Sequence, residues 1–208
     1  EIQSGQVINL GIGIPTLILR HMDPAKTVLV HSENGILGMG PIGLSVMLPA
    51  LAQGADKVYV TDKLDYRCAL AREHGATWAG NPDRQDIVAE IEEMEPLKLD
   101  VVFECCGQQE ALEQATDLLK PGGKVMMIGI PEFDRYSFQA DTARRNELCL
   151  QHVRRQNECV QDAMDFVAEG RVDPNFMITH RFGFDGIQDA FDLVDNYGDG
   201  VVKVMIEF

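Results

Sequence analysis

From residue 55 onward the chain alternates two hydrophobic patterns, and this alternation restricts the fold more than any other feature. Short continuous apolar runs, Val58-Tyr59-Val60, Val101-Val102-Phe103 and Val125 to Ile128, suit strands buried on both faces. Between them lie segments of helical period. Ile87, Val88, Ile91 and Met94 share one face, and Ala111, Leu112, Ala115, Leu118 and Leu119 another. Val160, Ala163, Met164 and Val167 repeat the pattern, as do Ile187, Ala190, Phe191 and Val194. Lys120-Pro121-Gly122-Gly123 and Gly170 punctuate helix ends, and Val201 to Phe208 reads as a closing strand. Strands alternating with helices imply an α/β fold, a Rossmann-type doubly wound parallel sheet with helices on both faces.

The glycine-rich stretch Gly38-Met39-Gly40-Pro41-Ile42-Gly43 is a GxGxxG that opens a helical segment, Leu44 to Gln53. Its spacing suits a phosphate cradle. One glycine permits the turn, the next lets backbone approach a pyrophosphate, and the third lets helix pack on strand. The helix N-terminus then offers unpaired N–H groups and a positive dipole end. Pro41 falls in the first turn, where a missing N–H costs nothing. Pro49, deep in the helix, removes the bond to Ser45 and predicts a kink. Asp62 ends the strand Val58 to Thr61, 24 residues after Gly38. A carboxylate there accepts hydrogen bonds from an adenosine ribose and repels a 2′-phosphate, which selects NAD over NADP. Taken alone, Asp62 reads more readily as a cap of the next helix.

The 208 residues fit one domain, and 18 Lys+Arg against 33 Asp+Glu leave a net charge of −15. Such a surface repels phosphate backbones and anionic lipid, so neither nucleic acid nor a membrane surface is an expected partner. No apolar run reaches the roughly 18 residues needed to span a bilayer, and Glu1-Ile2-Gln3-Ser4 shows no signal-peptide pattern. The odd set Cys68, Cys105, Cys106, Cys149 and Cys159 lacks CxxC spacing. It reads as reduced, mostly buried thiols of a cytoplasmic protein.

Residues 38–208 resemble the coenzyme domain and C-terminal tail of a zinc-type medium-chain alcohol/polyol dehydrogenase, of the sorbitol and threonine dehydrogenase kind. The matching stretches are GMGPIGLSVM, ADKVYVTDKLDYR, REHGATW, LDVVFECCGQQEAL, LLKPGGKVMMIGIPE and DGVVKVMIEF. The resemblance implies an NAD cofactor and site roles residue by residue. Asp62 binds the adenosine ribose and Arg67 flanks it. Cys105 and Cys106 line the adenine side. Ile128, Ile130, Val153 and Arg155 present themselves to the nicotinamide, and Lys203 serves the pyrophosphate. It also implies self-association, because in this family the region matching Glu147 to Val153 pairs with its mate across a two-fold axis. The family carries its zinc ligands mainly in an N-terminal domain, which is expected to be missing here. His21, His31, His74, His152 and His180 are scattered without ligand spacing, so no metal site is expected.

Residues 7–40 are similar to a different family, the β subunit of class I CoA-transferases, through VINLGIGIPT and VLVHSENGILGMGP. That resemblance puts a nucleophilic carboxylate on Glu33. A glutamate forms a thioester once it is oriented and partly desolvated. The chain thus reads as a chimera joined within a shared GxGP, residues 1–37 against residues 38–208. The first part is expected as a β-α-β extension with strand Val7–Leu10, helix Thr16–His21 and strand Thr27–Val30. Either Thr27–Val30 or Gly35–Leu37 serves as the first Rossmann strand. Three functions follow: an NAD(H)-binding oxidoreductase of the alcohol/polyol type, a CoA-transferase fragment using Glu33, and a nucleotide-binding domain without turnover.

Overall fold

The computed structural model describes residues 7–8, 27–31, 40–154 and 158–208. Six parallel strands form the main sheet: β2 (Thr27–His31), β3 (Lys57–Thr61), β4 (Trp78–Gly80), β5 (Leu99–Glu104), β6 (Leu119–Met127) and β7 (Cys149–His152). Their spatial order is β4-β3-β2-β5-β6-β7. The order reverses at β2, the doubly wound arrangement that opens a crevice above the strand ends. A second sheet has the order β1-β9-β8, from Val7–Ile8 (β1), Lys203–Glu207 (β9) and Ile178–Gly183 (β8). The helices are α1 (Gly40–Ala52), α2 (Asp65–Glu73), α3 (Ile87–Met94), α4 (Gln109–Leu118), α5 (Ala140–Arg145), α6 (Val160–Ala168) and α7 (Ile187–Asp195).

The period-2 pleat explains why both sheet faces are apolar. Val58 and Val60 of β3, Val101 and Phe103 of β5, and Met126 of β6 point to one side. There they meet Leu44, Met47 and Ala50 of α1 and Cys68 and Ala71 of α2. Tyr59, Val102, Val125 and Met127 point to the other side, onto Ile87 and Ile91 of α3 and Leu112, Ala115 and Leu118 of α4. The alternation read from residue 55 onward is therefore two cores sharing one sheet.

Thr27–His31 is the first Rossmann strand, hydrogen-bonded in parallel to both β3 and β5. The other candidate, Gly35–Leu37, and the helix expected over Thr16–His21 lie outside the described residues. The β-α-β unit expected from residues 1–37 needs correction. Val7–Ile8 pairs antiparallel with β9 in the second sheet, so it and Thr27–His31 do not belong to one parallel unit. One local reading also changes. Lys120-Pro121-Gly122-Gly123 does not merely end a helix: it lies within β6, where the register with β5 shifts between Leu99 and Val101 and the Gly122 N–H reaches the Asn146 carbonyl at 2.7 Å. Pro49 lies inside α1, which continues from Gly40 to Ala52. The α6 face of Val160, Met164 and Val167 is amphipathic as read, but these side chains are exposed.

Candidate functional site

Because all six strands of the main sheet run the same way, their C-terminal ends share one edge. That edge gathers the N-terminus of α1 after β2, Asp62 after β3, Glu104 at the end of β5, Ile128 after β6 and Val153 after β7. It is the place where open α/β sheets bind ligands. Of the glycine motif, Gly40, Pro41, Ile42 and Gly43 form the first turn of α1, and Gly40 and Gly43 are buried. Gly38 lies outside the described residues, as do Glu33 and Arg155. Ser45 Oγ donates to the Pro41 carbonyl at 2.6 Å and steadies this turn.

Asp62 is buried at the end of β3, two residues before the N-cap of α2. Its Oδ1 accepts the Leu64 N–H at 2.9 Å, which shapes the turn into α2. Its Oδ2 faces Arg67 Nη1 at 3.9 Å, with both side chains about 95% buried. Arg67 sits on the first turn of α2 and leans back over Gly40. A Cβ at Gly40 would fall 2.1 Å from Arg67 Nη1 and 2.3 Å from its Cζ, so any other residue there would displace this guanidinium. Arg67 Nη2 donates to the Val201 carbonyl at 3.3 Å, and the Tyr66 hydroxyl donates to the same oxygen at 2.8 Å. The rings of Tyr66 and Tyr197 lie 5.6 and 5.5 Å from the guanidinium carbon. Among the described residues, Nε and Nη1 are buried with no hydrogen-bond partner.

Glu104 went unnoticed in the sequence, although an acid inside the apolar run VVFECC is itself a signal. It is fully buried. Its Oε1 accepts the backbone N–H of Cys106 at 2.7 Å and of Gly107 at 2.6 Å, and Cys106 Sγ donates to it at 2.9 Å. Its Oε2 is a buried oxygen without a hydrogen-bond partner among the described residues. Gly107 adopts φ +71, and a Cβ on Gly129 would meet the Gly107 nitrogen at 2.1 Å. The carboxylate thus fixes two backbone crossings at the centre of the strand-end edge.

The remaining assignments distribute unevenly. Cys105 and Cys106 are wholly buried. Burial drives the Cys105 thiol well up from its ordinary value, and burial chiefly raises Cys68 to about 11, so neither is a ready thiolate. Ile128 packs partly on the core and Ile130 is 75% exposed. Val153 is half-buried, its N–H bonded to the Met127 carbonyl at 2.9 Å. Lys203 starts β9 in the second sheet, where burial lowers its pKa. Among the described residues no three His, Cys, Asp or Glu side chains converge on one point. His74 instead stacks on Phe176, ring centroids 3.6 Å apart, and His180 Nε2 lies 3.3 Å from Asp199.

The fold and this edge define a Rossmann-type dehydrogenase domain. Residues 41–169 match the zinc-binding dehydrogenase family, and the chain belongs to it. It is 28% identical to a sorbitol dehydrogenase of Bacillus subtilis over 94% of its own length and 54% of the relative's. A zinc-binding dehydrogenase of Sinorhizobium meliloti solved with NADP superposes with a TM-score of 0.79 at 28% identity, over 93% of this chain and 56% of that one. An alcohol dehydrogenase from E. coli CFT073 complexed with NADH gives 0.81 at 23% identity, over 97% of this chain and 61% of that one. The chain therefore spans about half the length of the relatives it matches. Nothing in these likenesses supports the CoA-transferase reading of residues 7–40.

Proposed function

We propose that this chain is the NAD(H)-binding half of a medium-chain alcohol/polyol dehydrogenase. The observation that carries the reading is the pairing at the strand-end edge: buried Asp62 after the second Rossmann strand, and a buried guanidinium lying on Gly40 at the N-terminus of α1. A dinucleotide fits this donor set. Its ribose hydroxyls suit the Asp62 carboxylate, and its pyrophosphate suits the N–H groups of the first turn of α1, around Ile42 and Gly43. When bound, the cofactor supplies hydride transfer, and the protein supplies binding and orientation. The backbone around Cys105-Cys106, held by Glu104, and the chain at Ile128, Ile130 and Val153 would frame the rest of the cofactor, with Arg155 and Lys203 at its flanks. Among the described residues there is no zinc donor set, and no step is derived through that metal.

The reading extends to assembly and location. β7 pairs only with β6 among the described residues. An unpaired edge invites a second strand, and two copies joining through β7 is the expected homo-oligomer. No described helix is long and apolar enough to cross a membrane, and a cytoplasmic site suits the thiols.

Calorimetric titration of the chain with NADH, NADPH and acetyl-CoA tests the central claim. Saturable NADH binding with no heat from acetyl-CoA supports it, and acetyl-CoA binding without NADH would return Glu33 to contention. A sedimentation profile holding only monomer at micromolar concentration would remove the β7 pairing.

A further inference from the structure

Two non-glycine residues of the C-terminal tail stand close together in left-handed backbone: Tyr197 at φ 51, ψ 33 and Asp199 at φ 46, ψ 33. For a bulky residue that conformation crowds Cβ against the backbone, and it persists only where the surroundings hold it. At Tyr197 the surroundings are Arg67 and its neighbours. The Tyr197 ring lies 5.5 Å from the guanidinium carbon, and the Tyr66 ring lies 5.6 Å from the same carbon. Four residues on, the buried Val201 carbonyl accepts Arg67 Nη2 at 3.3 Å and the Tyr66 hydroxyl at 2.8 Å. The turn between is closed by the Val201 N–H on the Gly198 carbonyl at 2.9 Å. Arg67 has few other holds. Asp62 Oδ2, at 3.9 Å from Nη1, supplies charge but lies beyond hydrogen-bond distance. One carbonyl and two aromatic rings therefore orient this guanidinium, and the carbonyl and one of the rings come from the strained tail.

We propose that Tyr197 is a positioning residue for the dinucleotide: its left-handed backbone turns the ring onto Arg67 and sets the guanidinium beside Asp62 before the cofactor arrives. Arginine carries a long stem, and fixing that stem at the moment of binding costs rotamer freedom. A stem fixed beforehand spares the ligand that cost. An aromatic face suits the task because it attracts a cation without occupying its hydrogen-bond donors. Tyr197 thus orients Arg67 while Nε and Nη1 stay without a hydrogen-bond partner among the described residues. The ring acts on Arg67 and not on the cofactor, and Arg67 keeps the place beside the adenosine ribose that the family resemblance gives it. The backbone conformation is part of the device. Helical or extended backbone at position 197 would send Cβ in another direction, so the strain at Tyr197 is the cost of aiming its ring.

The proposal rests on the dinucleotide reading, and its test separates the two. Wild type and its Tyr197→Phe, Tyr197→Ala and Tyr197→Gly variants are titrated with NADH and unfolded in urea. Tyr197→Phe keeps the ring and is expected to bind NADH within about twofold of wild type. Tyr197→Ala and Tyr197→Gly both lose the ring and are expected to bind roughly three- to thirtyfold more weakly, the size of a lost cation–π contact. Their stabilities should part, because glycine adopts positive φ freely and alanine does not: Tyr197→Gly unfolds at the higher urea midpoint. A tyrosine with a structural role alone would make affinity follow the midpoint, with Tyr197→Ala the weaker binder, and that result overturns the proposal. Full NADH affinity in both variants overturns it too, as does a Tyr197→Gly midpoint no higher than that of Tyr197→Ala. The Nε–Hε resonance of Arg67 reads the orientation without ligand. It is expected to be retained in wild type and Tyr197→Phe and lost to exchange with water in Tyr197→Gly, and an unchanged resonance there counts against the proposal. If wild type does not bind NADH, the functional reading falls and takes the cofactor role of Tyr197 with it, while the resonance still decides whether Tyr197 fixes Arg67. Should the alanine and glycine variants not fold, Tyr197→Asn replaces them, since asparagine tolerates left-handed backbone and has no ring. Weakened NADH binding together with a lost Arg67 resonance then upholds the proposal, and either one unchanged overturns it.

Discussion

Glu104 holds Gly107 by its backbone: Oε1 accepts the Gly107 N–H at 2.6 Å, across a turn that only glycine enters easily at φ +71. The same oxygen takes the Cys106 N–H, so one buried carboxylate satisfies two backbone donors that the end of β5 would otherwise orphan. Glu104→Ala is expected to destabilise the chain by about 2–4 kcal/mol, since two buried N–H groups lose their acceptor. Glu104→Gln, which keeps one carbonyl oxygen, should cost less. Urea unfolding reads this directly, as a lowered midpoint with an unchanged slope. Equal midpoints for Glu104→Ala and wild type would show that water or the backbone replaces the carboxylate without cost. Gly129→Ala should be as damaging, because its new methyl would lie 2.1 Å from the Gly107 nitrogen.

At the opposite end of the sheet, Glu95 Oε1 accepts from both Lys57 Nζ and the Tyr59 hydroxyl at 2.5 Å. Burial acts to raise the Glu95 pKa, but the hydrogen bonds from Lys57 and Tyr59 together outweigh it and hold it below 4.5. Burial, then the bond to Glu95, raises Tyr59 well above 10.0. The signs give a plateau. Glu95, lowered on folding, contributes stability that is present above pH 4.5 and lost as pH falls through its folded value. Tyr59, raised on folding, contributes stability that is present below pH 10 and lost as pH climbs toward its folded value. Urea midpoints followed from pH 5 to pH 3 should therefore fall less steeply for Glu95→Gln than for wild type. Parallel curves would show that the carboxylate is not depressed in the folded state.

The sheet was legible because strands buried on both faces leave continuous apolar runs, and Val58 to Val60 or Val101 to Phe103 admit few other readings. Trp78–Gly80 was not legible. Three residues are too few to show a period, and this strand is defined by its pairing with Tyr59 to Thr61. The choice of Thr27–His31 as the first Rossmann strand was open for a similar reason: propensity favoured it, proximity to the glycines favoured Gly35–Leu37, and only pairing with β3 and β5 decides. In the site, Asp62 was visible by its spacing after the glycine motif. The burial of Arg67 was not, because it depends on Val201 and Tyr197, over a hundred positions away. Glu104 was overlooked because its partners are backbone N–H groups, which leave no mark in composition.

Hydrophobic period alone does not say whether a face is covered, and α3 and α6 separate the two cases. Ile91 of α3 is fully buried against the sheet, whereas Met164 of α6 is 58% exposed. Ile91→Ala should cost about 2–5 kcal/mol, through lost burial and the cavity left behind. Met164→Gln should stay within about 0.5 kcal/mol, as exposed substitutions do. Comparing the two midpoints in urea checks the assignment. A large loss for Met164→Gln would mean that the α6 face is covered in solution.

The cofactor preference proposed for Asp62 is open to a direct test, and one of the structural relatives makes the question sharp: the Sinorhizobium meliloti dehydrogenase, at 28% identity, was solved with NADP. In this chain a carboxylate 4% exposed stands at the end of β3, where a 2′-phosphate would meet it. Like charges at that distance repel, and the carboxylate's hydrogen bonds to ribose hydroxyls are lost when the hydroxyl is phosphorylated. Wild type is therefore expected to bind NADH more tightly than NADPH. Asp62→Ala should lose about 1–3 kcal/mol of NADH affinity and less of NADPH affinity, because removing the charge relieves the repulsion while it removes the bond. Asp62→Asn is the control for folding: its side-chain oxygen still accepts the Leu64 N–H that shapes the entry to α2. It should retain stability and shift the NADH to NADPH ratio in the same direction as Asp62→Ala. Fluorescence titration with both reduced cofactors measures the ratio, and NADPH binding to wild type as tight as NADH binding would end the role assigned to Asp62.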